Sequence, residues 1–214
     1  MIVYIAPIVE GHAEQRCVER LLHRIWTELL HRPERLQVLE PFRGPRNALV
    51  HPNGVELTQS VEKVFVKLQA KARKDAESRS LLLILLDAEE DCPAELAPRL
   101  LAAATAGRSD AVLACVLAKR MLENWIVAGA STLAGVNGLP HSLQSPNDSE
   151  ERNGAAWLEE QLRSRNQRRS YKKTTDAELF VQKMDLEQCR NRSPSFGKLC
   201  RDLARFFPSP SVES

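Results

Sequence analysis

The chain has 214 residues, 43% of them hydrophobic and 27% charged, with a formal net charge of +2. That length allows one full-sized core, or a domain with a small appendage, and so small a net charge argues neither for nor against a polyanion, which would have to meet a local patch. The five cysteines (Cys17, Cys92, Cys115, Cys189 and Cys200) are scattered and form no C-x-x-C pair, which argues against a zinc module or disulfide framework and for a reducing compartment.

Ile2–Val9 is a short apolar, β-branched run that reads as a buried strand. From Ala13 to Leu30 apolar residues recur at helical spacing, with Pro33 just beyond. Leu36–Phe42 reads as a second strand and residues 43–54 as a loop. Val55–Ala72 is predicted helical, with Val61, Val64, Phe65 and Leu68 on one face. Leu81–Leu86 is the third predicted strand. Pro93–Ala104 is a helix with proline in its first turn, and Ala111–Leu117 is the fourth strand. A helix over Arg120–Ala128 follows. Residues 135–154 are rich in turn formers and read as a long loop, disordered in part. Helical patterns return at Ala155–Arg165, Asp176–Met184 and Phe196–Phe207, before a frayed PSPSVES tail.

This βαβαβαβ order predicts an α/β fold: a core of about four parallel strands over residues 1–130, with helices on both faces. Residues 131–214 would form a loop and helical extension packed on it, making one domain overall. MIVYIAPIVEG lacks the basic start of a signal peptide, and no apolar run reaches the ~20 residues of a membrane span. A cytoplasmic protein with no membrane partner is expected.

Functional residues in parallel sheets gather at the carboxyl ends of the strands. There, LLLILLDAEEDCP drives a buried strand into Asp87, Glu89, Glu90 and Asp91. If the chain stays extended, Asp87, Glu89 and Asp91 share one side. Converging carboxylates are costly unless a cation neutralises them, and hard divalent cations prefer such ligands. The competing reading is a solvated acidic start to the helix at Pro93, since helix N-termini favour negative charge. Glu10, in IVEGHAE at the end of the first strand, would emerge at the same edge, with Gly11 permitting a tight turn. Glu14 and Glu10 can equally be read as acids near a helix start. Glu123, in AKRMLENWIVAG past the fourth strand, is a third candidate, or else a surface acid paired with Lys119 or Arg120.

IVEGHAE after the first strand, with LLLILLDAEEDCP after a later one, resembles the TOPRIM fold, which carries a Glu after its first strand and an Asp-x-Asp motif after its third. The continuation through AKRMLENW is similar to the OLD-type branch. SPSFGKLCRDL near the C-terminus fits a group of small prokaryotic TOPRIM-like proteins that accompany an AAA- or ABC-type ATPase in defence loci. By that resemblance Glu10 is a general acid/base or metal ligand and Asp87 the principal Mg²⁺ or Mn²⁺ ligand. Glu89 stands where the second Asp is usual, Asp91 can supply the shorter ligand, and Glu123 completes a second metal position. Two ions would support phosphodiester cleavage by activating water and stabilising the leaving oxygen. A topoisomerase is disfavoured, since only Tyr4 and Tyr171 are present, and a primase-type reading lacks its cysteine zinc site.

RSRNQRRSYKK contains Arg168, Arg169, Lys172 and Lys173 and no acid, so it can contact phosphates or merely solvate a helix end. Arg43 and Arg46 are further phosphate-contact candidates. Lys198 is a candidate catalytic cation, or an exposed helical lysine. There is no GxxxxGK[ST] loop, so an ATPase would be a separate partner. The expectation is a Mg²⁺- or Mn²⁺-dependent nuclease acting on DNA or RNA with a partner ATPase, able to form homo-oligomers. The alternatives are a non-catalytic TOPRIM-like adaptor and a phosphotransfer enzyme acting on small molecules.

Overall fold

Alternating apolar strands and amphipathic helices place one parallel sheet between two helical layers. The computed structural model describes residues 1–163 and 169–207. The chain runs β1 (Ile2–Val9), α1 (His12–Arg24), β2 (Arg35–Val38), β3 (Phe42–Arg43), α2 (Arg46–Leu49), α3 (Val55–Ala72) and β4 (Ser78–Asp87). It continues through α4 (Pro93–Gly107), β5 (Leu113–Ala118), α5 (Glu123–Ala128), α6 (Gly154–Arg163), α7 (Lys173–Lys183), α8 (Leu186–Arg192) and α9 (Pro194–Phe206). All pairings are parallel, in the order β2-β1-β4-β5, with β3 also on β1. The fold is α/β, with a parallel sheet, helices on both faces and C-terminal helices.

The two-residue period of the strands sorts their side chains cleanly. Val3, Ile5 and Val9 of β1, with Leu81, Leu83 and Leu85 of β4, face α1 and the C-terminal helices. Tyr4, Ala6 and Ile8, with Leu82, Ile84 and Leu86, face α3 and α4. The central strands are buried on both sides, which is why they read as unbroken apolar runs. Val61, Val64, Phe65 and Leu68 are buried as their spacing predicts.

Several boundaries move for local reasons. The expected 13–30 helix is α-helical only to Arg24; Ile25–Leu29 forms a π-helical turn, with the Leu30 N–H on Ile25 O at 2.8 Å. The expected 36–42 strand is two pieces, because Pro41 offers no N–H to the ladder. The predicted 43–54 loop contains β3's Arg43 and α2. The expected 120–128 helix begins only at Glu123, since Arg120 takes φ +61°. Helix α8 was not anticipated from the sequence. The expected Ala155–Arg165 helix is seen to Arg163; its last residues and the PSPSVES tail lie outside the described residues.

The 135–153 segment is pinned rather than loose. Asn124 Nδ2 donates to Ser149 O (2.6 Å) and Arg152 O (2.9 Å). Glu150 accepts from the Ser195 N–H at 3.0 Å and from the Ser193 and Ser195 hydroxyls, tying the segment to the start of α9. No helix of the described residues is long and apolar enough to cross a membrane.

Candidate functional site

In a parallel sheet the carboxyl ends of β1, β4 and β5 share one edge, and three chain turns deliver acids there. Glu10 follows β1, Asp87 closes β4, and Glu123 opens α5 after β5. A fourth acid, Glu14, projects inward from the first turn of α1. Glu14 is 2% exposed, Asp87 6% and Glu123 0%. A Cβ at position 11 would collide with the Glu14 carboxylate, so glycine there lets the turn close over it.

The turn is held by hydrogen bonds. The Asp87 N–H donates to Glu10 Oε1 at 2.7 Å, and the Leu122 N–H donates to Asp87 Oδ1 at 2.8 Å. Asp87 thereby links the ends of β1, β4 and β5. The Tyr171 hydroxyl donates to Glu123 Oε1 at 3.2 Å, its ring stacked on Phe180.

One ammonium sits among the acids. Lys173 Nζ, at the start of α7, lies 3.1 Å from Glu14 Oε1, 3.7 Å from Asp87 Oδ2 and 3.6 Å from Glu123 Oε2. Legs of 3.7 and 3.6 Å place those Asp87 and Glu123 oxygens no further apart than their sum, about 7.3 Å. The Lys173 side chain is 46% exposed and stands at the mouth of a cleft of about 390 Å³. Glu10, His12, Glu14, Asp87 and Glu89 also line that cleft.

Arg46 closes the other flank. Its guanidinium donates to Asp87 O (3.1 Å) and Ala88 O (2.9 Å), and pairs with Asp91 (2.5 Å), Glu89 (3.3 Å) and Glu10 (3.7 Å). Three of the four carboxylates thus share one lysine, and the fourth, Glu10, shares one arginine with Glu89 and Asp91. Burial pushes the Asp87 carboxyl well above the usual range, and Glu10 and Glu14 push it further. Burial also raises Glu10, partly countered by the Asp87 N–H. Burial works against the Lys173 charge, but Glu123, Asp87 and Glu14 outweigh it and hold the proton above the ordinary lysine value. Burial and then Glu123 raise the Tyr171 phenol.

Among the described residues no three His, Cys, Asp or Glu side chains are arranged to hold a metal ion. The carboxylates are instead gathered around the lysine. The donor chemistry nevertheless suits a hard cation: Glu14 Oε2 is buried without a hydrogen-bond partner, and buried Glu14 Oε1 and Glu123 Oε2 face the Lys173 ammonium. A divalent ion would require Lys173 to withdraw, and its exposure gives it room.

The other sequence candidates divide. Glu89 and Asp91 are not aligned with Asp87: the strand stops at Asp87, Glu89 takes φ +51°, and both acids turn outward onto Arg46. The extended-chain spacing is therefore corrected. Arg46 was expected on phosphate, but its donors are spent on two carbonyls and three acids. Arg169 is likewise committed, to buried Asp176 at 2.5 Å and to Asn137 O. Lys172 and Arg43 are exposed. Arg168 lies outside the described residues. Lys198 is not brought to the carboxylates; its ammonium is on Asp202 (2.5 Å) and Cys115 O (3.0 Å).

Glu14 and the role of Lys173 escaped sequence reasoning, although the pattern holds a trace of both. Glu14 falls on the α1 stripe of Cys17, Val18 and Leu21, an acid where an apolar residue is expected. Lys173 precedes Ala177, Phe180 and Val181 on the buried face of α7.

No curated protein and no solved structure matches the chain. The family model described as a domain of unknown function (DUF4276) matches residues 9–204, a span that includes Glu10, Glu14, Asp87, Glu123 and Lys173, and the chain belongs to that family.

Proposed function

We propose that the protein is a Mg²⁺- or Mn²⁺-dependent phosphodiesterase of the TOPRIM kind, cleaving DNA or RNA. The observation that carries this reading is the gathering of four carboxylates at one sheet edge, three of them buried, with Glu14 Oε2 lacking a hydrogen-bond partner. Strand order supports it, since β1, β4 and β5 are the strands whose ends deliver the acids. Glu14, Asp87 and Glu123 would hold the cation and Glu10 would stand beside it. A bound divalent cation supplies charge neutralisation and an activated water. Glu10, raised by burial and thereby a stronger base than an exposed carboxylate, would take the proton of the attacking water. Lys173 exchanges its carboxylates for the phosphate, neutralising charge there. The resemblance to OLD-type proteins extends the proposal to a separate ATPase partner, and the scattered cysteines favour a cytoplasmic setting.

The test is cleavage of labelled single- and double-stranded DNA and RNA with Mg²⁺ or Mn²⁺, with Glu10→Gln, Glu14→Gln and Asp87→Asn alongside. Each substitution should lower the rate at least about a hundredfold. Activity that survives all three removes the site. A second reading, a non-catalytic adaptor, is favoured by one observation: Lys173 already supplies a cation to three of the acids. Calorimetry decides between them, because an adaptor of this kind takes up no Mn²⁺ in the wild-type chain.

A further inference from the structure

A larger cleft, of about 640 Å³, lies on the other face of the sheet, between α3 and the chain that breaks β2 from β3. Its apolar wall includes Ala6, Leu39, Phe42 and Val64. Its rim carries Arg43 from β3 and Lys67, Lys71 and Lys74 along α3 and its C-terminal end. All four cations are exposed, and none has a side-chain ion pair or hydrogen bond among the described residues. This contrasts with Arg46 and Arg169, which the fold spends on its own acids.

We propose that this cleft binds a free nucleoside polyphosphate. Lys67 and Lys71 stand about one turn apart on α3, about 6 Å at the helical rise, and Lys74 follows just past the helix end. That row, facing Arg43, matches two or three linked phosphates better than a single charge. A flat apolar body fits against Phe42 and Leu39, and pockets of this size and mixed lining are typical of small ligands. Glu40 is the one acid in the lining, placed to accept from the N–H groups of a base. A free ligand is favoured over a strand running to the acids. The cleft's lysines lie on the α3 face, whereas Glu14, Glu123 and Lys173 lie on the α1 and α7 face; Gln15 of α1 reaches the cleft over the sheet edge, through its bond to Pro41 O. The proposal does not rest on the phosphodiesterase reading.

The experiment is calorimetric titration of the full chain, in EDTA so that the acidic cleft takes no metal, with ATP, pyrophosphate, adenosine and a short oligothymidylate. ATP should bind at one site per chain and more tightly than pyrophosphate or adenosine. Lys67→Glu combined with Lys71→Glu should weaken ATP at least about tenfold, with melting temperature held because both side chains are exposed. Phe42→Ala should weaken ATP and leave pyrophosphate unchanged, while Asp87→Asn should change neither. The proposal is overturned if no nucleotide binds, if pyrophosphate matches ATP, or if the lysine reversals leave ATP binding intact. Tighter binding of oligothymidylate than ATP, or loss of ATP binding in Asp87→Asn, also overturns it.

Discussion

Lys173→Met removes the one ammonium shared by Glu14, Asp87 and Glu123 while keeping a long side chain. At the observed separations of 3.1, 3.7 and 3.6 Å, each lost attraction has a bare Coulomb value of about 4–5 kcal/mol at an effective dielectric of about 20. Those values are ceilings, because the lysine is 46% exposed and solvent screens it. Removing one partner of a buried ion pair costs about 3–5 kcal/mol, and the exposure points to the lower end, about 3 kcal/mol. For a chain of this size that lowers Tm by about 6–12 °C. The effect has a pH signature. Asp87 already titrates well above the usual carboxylate range, and loss of the lysine raises it further. The folded state then binds more protons than the unfolded one, so stability falls as pH rises. Thermal melts of wild type and variant should therefore diverge at pH 8 and converge as the pH drops toward the unfolded carboxylate value of about 4. Mn²⁺ should restore more Tm to the variant than it adds to wild type, since it no longer competes with Lys173. A loss under about 1 kcal/mol at pH 8, or the same loss at pH 5 and pH 8, would refute the reasoning.

Asp87→Asn should stabilise the metal-free protein at pH 8 by about 1 kcal/mol or more, because it removes a buried charge and keeps an oxygen for the Leu122 N–H. The gain should shrink on acidification, as wild-type Asp87 takes up its own proton; differential scanning calorimetry across pH checks it. Arg46→Met strips donors from Asp87 O and Ala88 O and leaves Glu10 without its nearest guanidinium. A loss of about 2–3 kcal/mol is expected in urea unfolding, and a neutral result would contradict the flank described for Arg46. Cys92 is exposed and the other four cysteines are buried. Ellman's reagent should therefore label one thiol rapidly in the native protein and all five in denaturant.

The cluster also shows how a fold accommodates charge that folding alone would not select. Three devices fix the four acids: backbone N–H groups hold Glu10 and Asp87, a phenol holds Glu123, and the lysine holds Glu14. Their shared deficit of positive charge is what a divalent cation or a proton would relieve.

Much of the architecture follows from the sequence alone. A short unbroken run such as Leu81–Leu86, set among alternating helices, reads as a strand buried on both faces of a parallel sheet, and α1 and α3 declare themselves by their apolar spacing. Glu10 and Asp87 were legible for the same reason, since parallel strands must end at one edge. What sequence could not decide was where the chain turns after that edge. Glu89 and Asp91 look equivalent to Asp87 by alternation, yet a left-handed residue at position 89 sends them to Arg46. Lys173 lies 86 residues beyond Asp87 and reads as one more cation in a basic run. Only the docking of α7 against α1 brings its ammonium to Glu14, Asp87 and Glu123. Local spacing determines which side chains face inward; which charges meet there depends on distant segments packing together, and that is a property of the tertiary structure.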